Sequence, residues 1–172
     1  MAAMVANLSA GKAEFATRLD TCDDLSVQAQ RVKDALLAAV DEDTQAFNGV
    51  MDALRLPKDN PEQQAVRTAA LQAGYRHATD VPLATARQCH AALGLARRAA
   101  QLGNHAMITD AGTGALVALA GLKAAAYNVR VNLKSIKDAS YVQTTRTELD
   151  RLLADAASIA DEVEAEVLRL TA

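Results

Sequence analysis

The chain has 172 residues, a net charge of −3 and 39 alanines, with 3% aromatic residues, no Trp and only 3 Pro. That length holds one domain with a sizeable core and is too short for two ordinary ones. Abundant Ala and Leu with few aromatics and little Gly or Pro exclude a β-sandwich and point to long helices. The charge argues against a basic nucleic-acid binder. Two cysteines, Cys22 and Cys89, are too few for a disulfide scaffold or a Cys-based zinc site. Met1 to Gly11 has no basic n-region of a signal peptide, so a cytoplasmic location is expected.

The first segment, Met1 to about Arg18, is apolar from its start: Met1, Met4, Val5 and Leu8 keep helical spacing with no capping residue before them. The second runs from about Asp23 to Leu54. Its apolar stripe is Leu25, Ala29, Val32, Leu36, Val40, Phe47, Met51 and Leu54, and Asp43 fills the gap between Val40 and Phe47. A carboxylate on a core-facing stripe needs a partner; a local rotation that puts Asp43 in water is the plainer alternative.

Leu56-Pro57-Lys58-Asp59-Asn60-Pro61 breaks the pattern. Asn60 caps a new helix, with Pro61 at its first position and Gln63 at the capping-box position. This helix is expected to run to about Thr79. Pro82 then starts or kinks the next, which continues to about Leu102 and stops at Gly103-Asn104.

Asp110 to about Lys137 is apolar, with Lys123 the one charge between Ala111 and Val129 and ten Ala or Gly among those nineteen residues. A membrane span is disfavoured: Ala and Gly drive insertion weakly, a Lys sits in the middle, and no aromatic belt flanks the segment. A buried central helix is the better expectation. At about 100° per residue, Lys123, Tyr127, Arg130, Lys134 and Lys137 fall on one side. Gly114, Gly121, Ala125, Asn128 and Asn132 fall on the other, which reads as the small, buried face. Two buried amides need partners, supplied by the protein or by a ligand. The last segment, about Ser140 to Leu170, is an amphipathic scaffold helix with Leu149, Leu152, Leu153, Ala156, Ile159, Val163, Val167 and Leu170 on its stripe.

No Gly-rich phosphate loop and no Gly-x-Ser-x-Gly elbow is present. His77, His90 and His105 lack metal-ligand spacing, so no metal is expected. His77 and His90 read as helix-surface residues and Cys89 as a buried thiol. What remains is a set of polar residues at unusual places: Asn7, Lys12, Asp43, Lys58, Asp110, Asn128 and Asn132. A helical oligomerisation module would explain the stripes equally well.

The chain resembles the cyclodeaminase/cyclohydrolase family of folate enzymes. The stretches that carry the resemblance are Ala3 to Lys12, Asp41-Glu42-Asp43 with Ala46-Phe47, Leu56-Pro57-Lys58, Val81-Pro82-Leu83, Gly103-Asn104, Thr109-Asp110-Ala111-Gly112, and Asn128-Val129 with Asn132-Leu133-Lys134. Their order and spacing agree over essentially the whole chain. The resemblance implies an all-α bundle of about five long antiparallel helices in one domain over 1–172, working as a homodimer with a folate groove near the subunit interface. It implies hydrolysis of 5,10-methenyltetrahydrofolate to 10-formyltetrahydrofolate, with formimidoyltetrahydrofolate cyclodeaminase as the alternative. The substrate is then a tetrahydrofolate derivative, and no cofactor is held permanently; neither nucleic acid nor a membrane is an expected partner. Family members usually carry a Gly-rich segment ahead of the first helix, which this sequence lacks; a shortened, non-catalytic dimerisation module is therefore a further alternative.

Both reactions place an amidinium-like cation between N5 and N10. A carboxylate suits both the base and the charge that complements this cation, which makes Asp43 and Asp110 the catalytic candidates. Asn7, Lys12, Lys58, Asn128, Asn132 and Lys134 are the candidates for substrate binding, with Lys12, Arg130 and Lys134 available to an anionic polyglutamate tail. Asp110 and Asn128 would lie about 27 Å apart on one straight helix at 1.5 Å per residue. They reach different parts of the ligand or converge across a dimer.

Overall fold

The computed structural model describes residues 1–12, 17–102 and 104–172. Among the described residues five α-helices follow one another: α1 (Ala2–Ala10), α2 (Leu19–Arg55), α3 (Pro61–Gln101), α4 (Ile108–Leu133) and α5 (Ala139–Thr171), with a 3-10 turn, His105–Met107, ahead of α4. No strand occurs among the described residues, as composition and periodicity require. The expected first segment extends into residues 13–16, and the expected helix stop includes Gly103; both lie outside the described residues.

The α2–α3 hairpin turns where the sequence breaks. Asn60 Oδ1 accepts from the Gln63 N–H at 2.9 Å, and Pro61 occupies the first turn. Gln63 Oε1 accepts from the Asp59 N–H at 2.8 Å, so the capping box closes one residue upstream of Asn60. The two helices run antiparallel. Gly74 lies against the backbone of Val50, and Arg98 binds Asp24 at 2.7 Å.

Helix α3 corrects the expectation of a boundary at Pro82: it runs unbroken for 41 residues with Pro82 inside it. A proline lacks the N–H that would bond the carbonyl four residues back. That carbonyl is Ala78 O, and Asn132 Nδ2 on α4 donates to it at 2.6 Å. A contact between distant residues thus replaces the missing helical bond.

Helix α4 lies antiparallel along α3. A Cβ built at Gly121 would come 3.0 Å from Cys89 Sγ, and one at Gly114 would come 4.0 Å from Ala96 Cβ, so small residues permit this approach. The stretch His105–Leu133 is long and apolar enough, by length and composition alone, to cross a bilayer. In the fold Ala111, Ala115, Leu122, Val129 and Leu133 are buried, whereas Leu116, Val117 and Val131 face outward.

Helix α5 runs parallel to α3, in a register set by polar pairs. Tyr141 binds Asp80, Glu148 binds Arg87, Asp155 binds His90 and Glu162 binds Arg97. The α5 members are spaced by seven, one heptad each. Leu25, Leu93, Leu122, Leu149, Val129 and Val163 form the fully buried centre. Cys22 and Cys89 are buried too, and burial pushes both thiols above their ordinary range. The outer faces differ in character: α3 and α5 present the ion pairs, while α2 and α4 present Leu37, Val40, Phe47, Leu116, Val117 and Val131.

Candidate functional site

A groove of about 590 Å³ runs between α2 and α4. Helix α3 floors it with Cys89, Ala92, Leu95 and Ala96; Leu36 and Leu37 of α2 face Gly114, Val117 and Gly121 of α4. Met1, Ala2 and Ala3 line one end. The lining is apolar apart from Gln30 and Lys33, and its size is that of a small-molecule site. The glycines make the room: a Cβ at Gly114 would sit 3.4 Å from Met1 Cβ.

The helical period extends each wall to a candidate residue. On α4, Asp110, Gly114, Val117, Gly121, Ala124 and Asn128 follow one another in steps of four and three. Asp110 therefore sits on the groove stripe at the α1 end and Asn128 at the other. On α2, Asp43 lies two turns beyond Leu36 on the same stripe, between Leu36 and Phe47. The contacts of Gly74 with Val50, and of Asn132 with Ala78, give the two registers against α3. Both place Asp43 and Asn128 level with Val81-Pro82, on opposite flanks of α3. Asp110 lies level with Ala100, about 28 Å away along α3 at 1.5 Å per residue.

The structure thus divides the candidates between two ends. Asp110, half-buried in the first turn of α4, shares one end with Lys12, which follows α1 and whose Nζ donates to Asn104 Oδ1 at 3.2 Å. Asn7 is on α1 and exposed. Asp43, Asn128, Asn132, Lys134 and Lys58 belong to the other half. Lys58 is exposed in the α2–α3 turn, where its carbonyl accepts from Gln64 Nε2 at 3.1 Å. Lys134 is exposed and follows Asn128 by six residues, so it points about 120° away from it around the helix. Arg130 is turned to α5, where it binds Asp150 at 3.2 Å.

Two readings of the faces change. Asn128 is exposed, and its Nδ2 reaches only the Ala124 carbonyl of its own helix, at 3.4 Å. The small face of α4 is broad, and Asn128 lies on an exposed part of it, two turns past Gly121, the last α4 residue that lines the groove. Asn132 is half-buried, but its amide nitrogen is committed to Ala78 O. Asp43 is exposed because the α2 stripe that carries it has no neighbour beyond α3, as Phe47 at 61% exposure shows.

Sequence reasoning took Asn104 as a helix stop and as part of a stretch that carries the resemblance, with no role of its own. It is 4% exposed, and its Nδ2 donates to Ser9 Oγ at 2.8 Å. A polar residue after a helix stop is common, so periodicity carries no signal for this role. Among the described residues no group of three His, Cys, Asp or Glu could hold a metal ion.

The formiminotransferase-cyclodeaminase family profile matches residues 1–151. The chain is 36% identical to the methenyltetrahydrofolate cyclohydrolase of Methylorubrum extorquens over 163 residues, which cover 95% of this chain and 78% of that protein. It is 33% identical to the formimidoyltransferase-cyclodeaminase of Gallus gallus over 153 residues, covering 89% of this chain and 28% of that protein. The crystal structure of formiminotetrahydrofolate cyclodeaminase from Thermotoga maritima superposes with a TM-score of 0.88 at 21% identity, over 99% of this chain and 81% of that one, which shows the shared fold. With a matching profile over most of its length and a relative aligned over most of both chains, this protein belongs to the formiminotransferase-cyclodeaminase family.

Proposed function

We propose that the chain is a methenyltetrahydrofolate cyclohydrolase, hydrolysing 5,10-methenyltetrahydrofolate to 10-formyltetrahydrofolate. The carrying observation is the 36% identity to the Methylorubrum cyclohydrolase over 95% of this chain. The groove supports the reading, because an apolar cleft of this size, with Asp110 and Asn128 further along the same stripe of α4 on either side of it, suits a flat heterocycle.

In the reaction, water adds to the methenyl carbon and gives its proton to a carboxylate. The carbon–N5 bond then breaks as the hydroxyl proton leaves and the carbonyl forms, and N5 takes up a proton. The formyl group stays on N10. One carboxylate serves as the base, and a second complements the charge of the cation.

Asp43 and Asp110 are too far apart in one chain to share a carbon, so we place them together across a homodimer. The outward apolar residues of α2 and α4, Leu37, Val40, Phe47, Val117 and Val131, support a covered face there. A two-fold arrangement brings the Asp43 end of one copy to the Asp110 end of its partner. Asn128 then lines the heterocycle beside Asp43, and Lys12 meets the anionic tail beside Asp110.

The test is loss of the methenyl chromophore on adding the purified chain at micromolar concentration, with catalytic turnover expected. Ammonia release from formimidoyltetrahydrofolate, measured alongside, examines the second reading, which the name of the Thermotoga structure favours. Ammonia release outpacing methenyl hydrolysis makes the protein a cyclodeaminase. Neither activity in a folded dimer overturns the enzyme reading.

A further inference from the structure

The buried side of α4 is mostly small. Ala111, Ala115, Ala118 and Ala125 are buried, and a Cβ at Gly121 would come 3.0 Å from Cys89 Sγ on α3. Apolar contact has no direction, and a face of methyl groups has low ridges. Such packing fixes the register of two helices less sharply than a directional bond does. Among the described residues one hydrogen bond joins α3 and α4, from Asn132 Nδ2 to Ala78 O at 2.6 Å. An ordinary helical carbonyl already holds an N–H of its own chain. Ala78 O is open to α4 because Pro82, inside α3, brings none. The sequence thus places the tie at one level of α3, that of Val81-Pro82.

Asn132 follows Asn128 by four residues, so the two amides stand about 6 Å apart along α4 and about 40° apart around it. Asn128 is exposed, and its Nδ2 reaches Ala124 O at 3.4 Å within its own helix. Where Asn128 stands relative to α3 is therefore set by how the backbone of α4 is held one turn further on.

The geometry points to Asn132 as a positioning residue for the substrate: its bond to Ala78 O fixes the register of α4 at the turn that carries Asn128. This rests on the reading of Asn128 as a group that lines the heterocycle. The donor of Asn132 is directed at α3, so its contribution reaches the ligand through Asn128 and shows in affinity.

The experiment measures KM and kcat for 5,10-methenyltetrahydrofolate, with thermal melts alongside. It uses the full chain and Asn132→Ala, Asn128→Ala, their double variant, and Pro82→Ala/Asn132→Ala. Asn132→Ala is expected to raise KM about fivefold and Asn128→Ala about tenfold, with kcat within about twofold of wild type. Asn128→Ala/Asn132→Ala should be no worse than Asn128→Ala, since the tie has nothing left to position. Pro82→Ala returns an N–H to Ala78 O. Pro82→Ala/Asn132→Ala therefore regains stability but still lacks the tie, and its KM should stay about fivefold above wild type. A wild-type KM in that variant would make Asn132 a purely structural donor and overturn the inference. Additive effects of Asn128→Ala and Asn132→Ala would give Asn132 a ligand contact of its own and overturn it too, as would an unchanged KM in either single variant. If the wild-type chain does not turn over, the activity reading fails by itself. Calorimetric Kd values for tetrahydrofolate on the same variants then carry the same comparison, and absence of binding overturns both.

Discussion

Asn132 Nδ2 donates a 2.6 Å hydrogen bond to the carbonyl of Ala78, which Pro82 leaves without a helical partner. The two residues meet only because α4 lies antiparallel on α3. The amide is a prosthesis for a missing N–H, and it keeps α3 continuous at the level where Asp43 and Asn128 flank it.

Asn132→Ala should therefore destabilise the fold by about 1 kcal/mol, the cost of a half-buried carbonyl left without its partner. Pro82→Ala returns the N–H to Ala78 O. Urea unfolding of both single variants and the double gives the coupling. In the Pro82→Ala background the loss from Asn132→Ala should shrink to a few tenths of a kcal/mol. An equal loss in both backgrounds would show that Asn132 acts through something other than that carbonyl.

Asp43→Asn and Asp110→Asn should each lower kcat for methenyltetrahydrofolate hydrolysis by about 10²-fold or more while the melting temperature stays near wild type. If each site takes one carboxylate from each copy, mixing the two inactive variants should restore about a quarter of wild-type activity, since half the dimers are mixed and one of their two sites is intact. No recovery on mixing would place both roles within one chain.

Val40→Glu and Phe47→Lys put charge on the outward stripe of α2 without touching the core. Light scattering should show a dimer for the wild-type chain and a monomer for these variants, with unchanged helical circular dichroism. A wild-type monomer at tens of micromolar would remove the composite site.

Tyr141 is pushed up to about 12 from its ordinary value of 10.0, by burial first and then by its hydrogen bond to Asp80. The phenol is neutral in both states below pH 10, so its contribution is intact there. Between about 10 and 12 the unfolded chain ionises and the native one does not, so stability falls as pH rises. Tyr141→Phe should lower stability at neutral pH and flatten this alkaline decline, as followed by thermal melts from pH 8 to pH 11.

Much of the fold was legible in the sequence because helix ends carry local chemistry: Asn60-Pro61 marks the start of α3 and the stripe of Leu149 to Val163 marks α5. The continuity of α3 through Pro82 was not legible, since the compensating donor lies fifty residues away. The face of Asn128 was misjudged because α4 is small-sided almost all round, and period alone does not say which side a neighbour takes. For the site, the odd placement of Asp43 on an apolar stripe was visible. That the stripe itself faces outward depends on how α2 packs, which no local pattern encodes. Asn104 stayed hidden because its partners, Ser9 and Lys12, are more than ninety residues upstream.

The ladder from Asp80–Tyr141 to Arg97–Glu162 confines most of the charge pairing to one side of the bundle, and the outward face of α2 and α4 is apolar. Ionic strength then acts on the two sides in opposite senses. Added salt screens the solvent-exposed pairs and loosens α5 on α3, while a strongly hydrated anion such as sulfate strengthens apolar association. The same anion also strengthens each copy's own apolar core, so sulfate should favour both the fold and any pairing over the α2–α4 face, at the expense only of the exposed ladder.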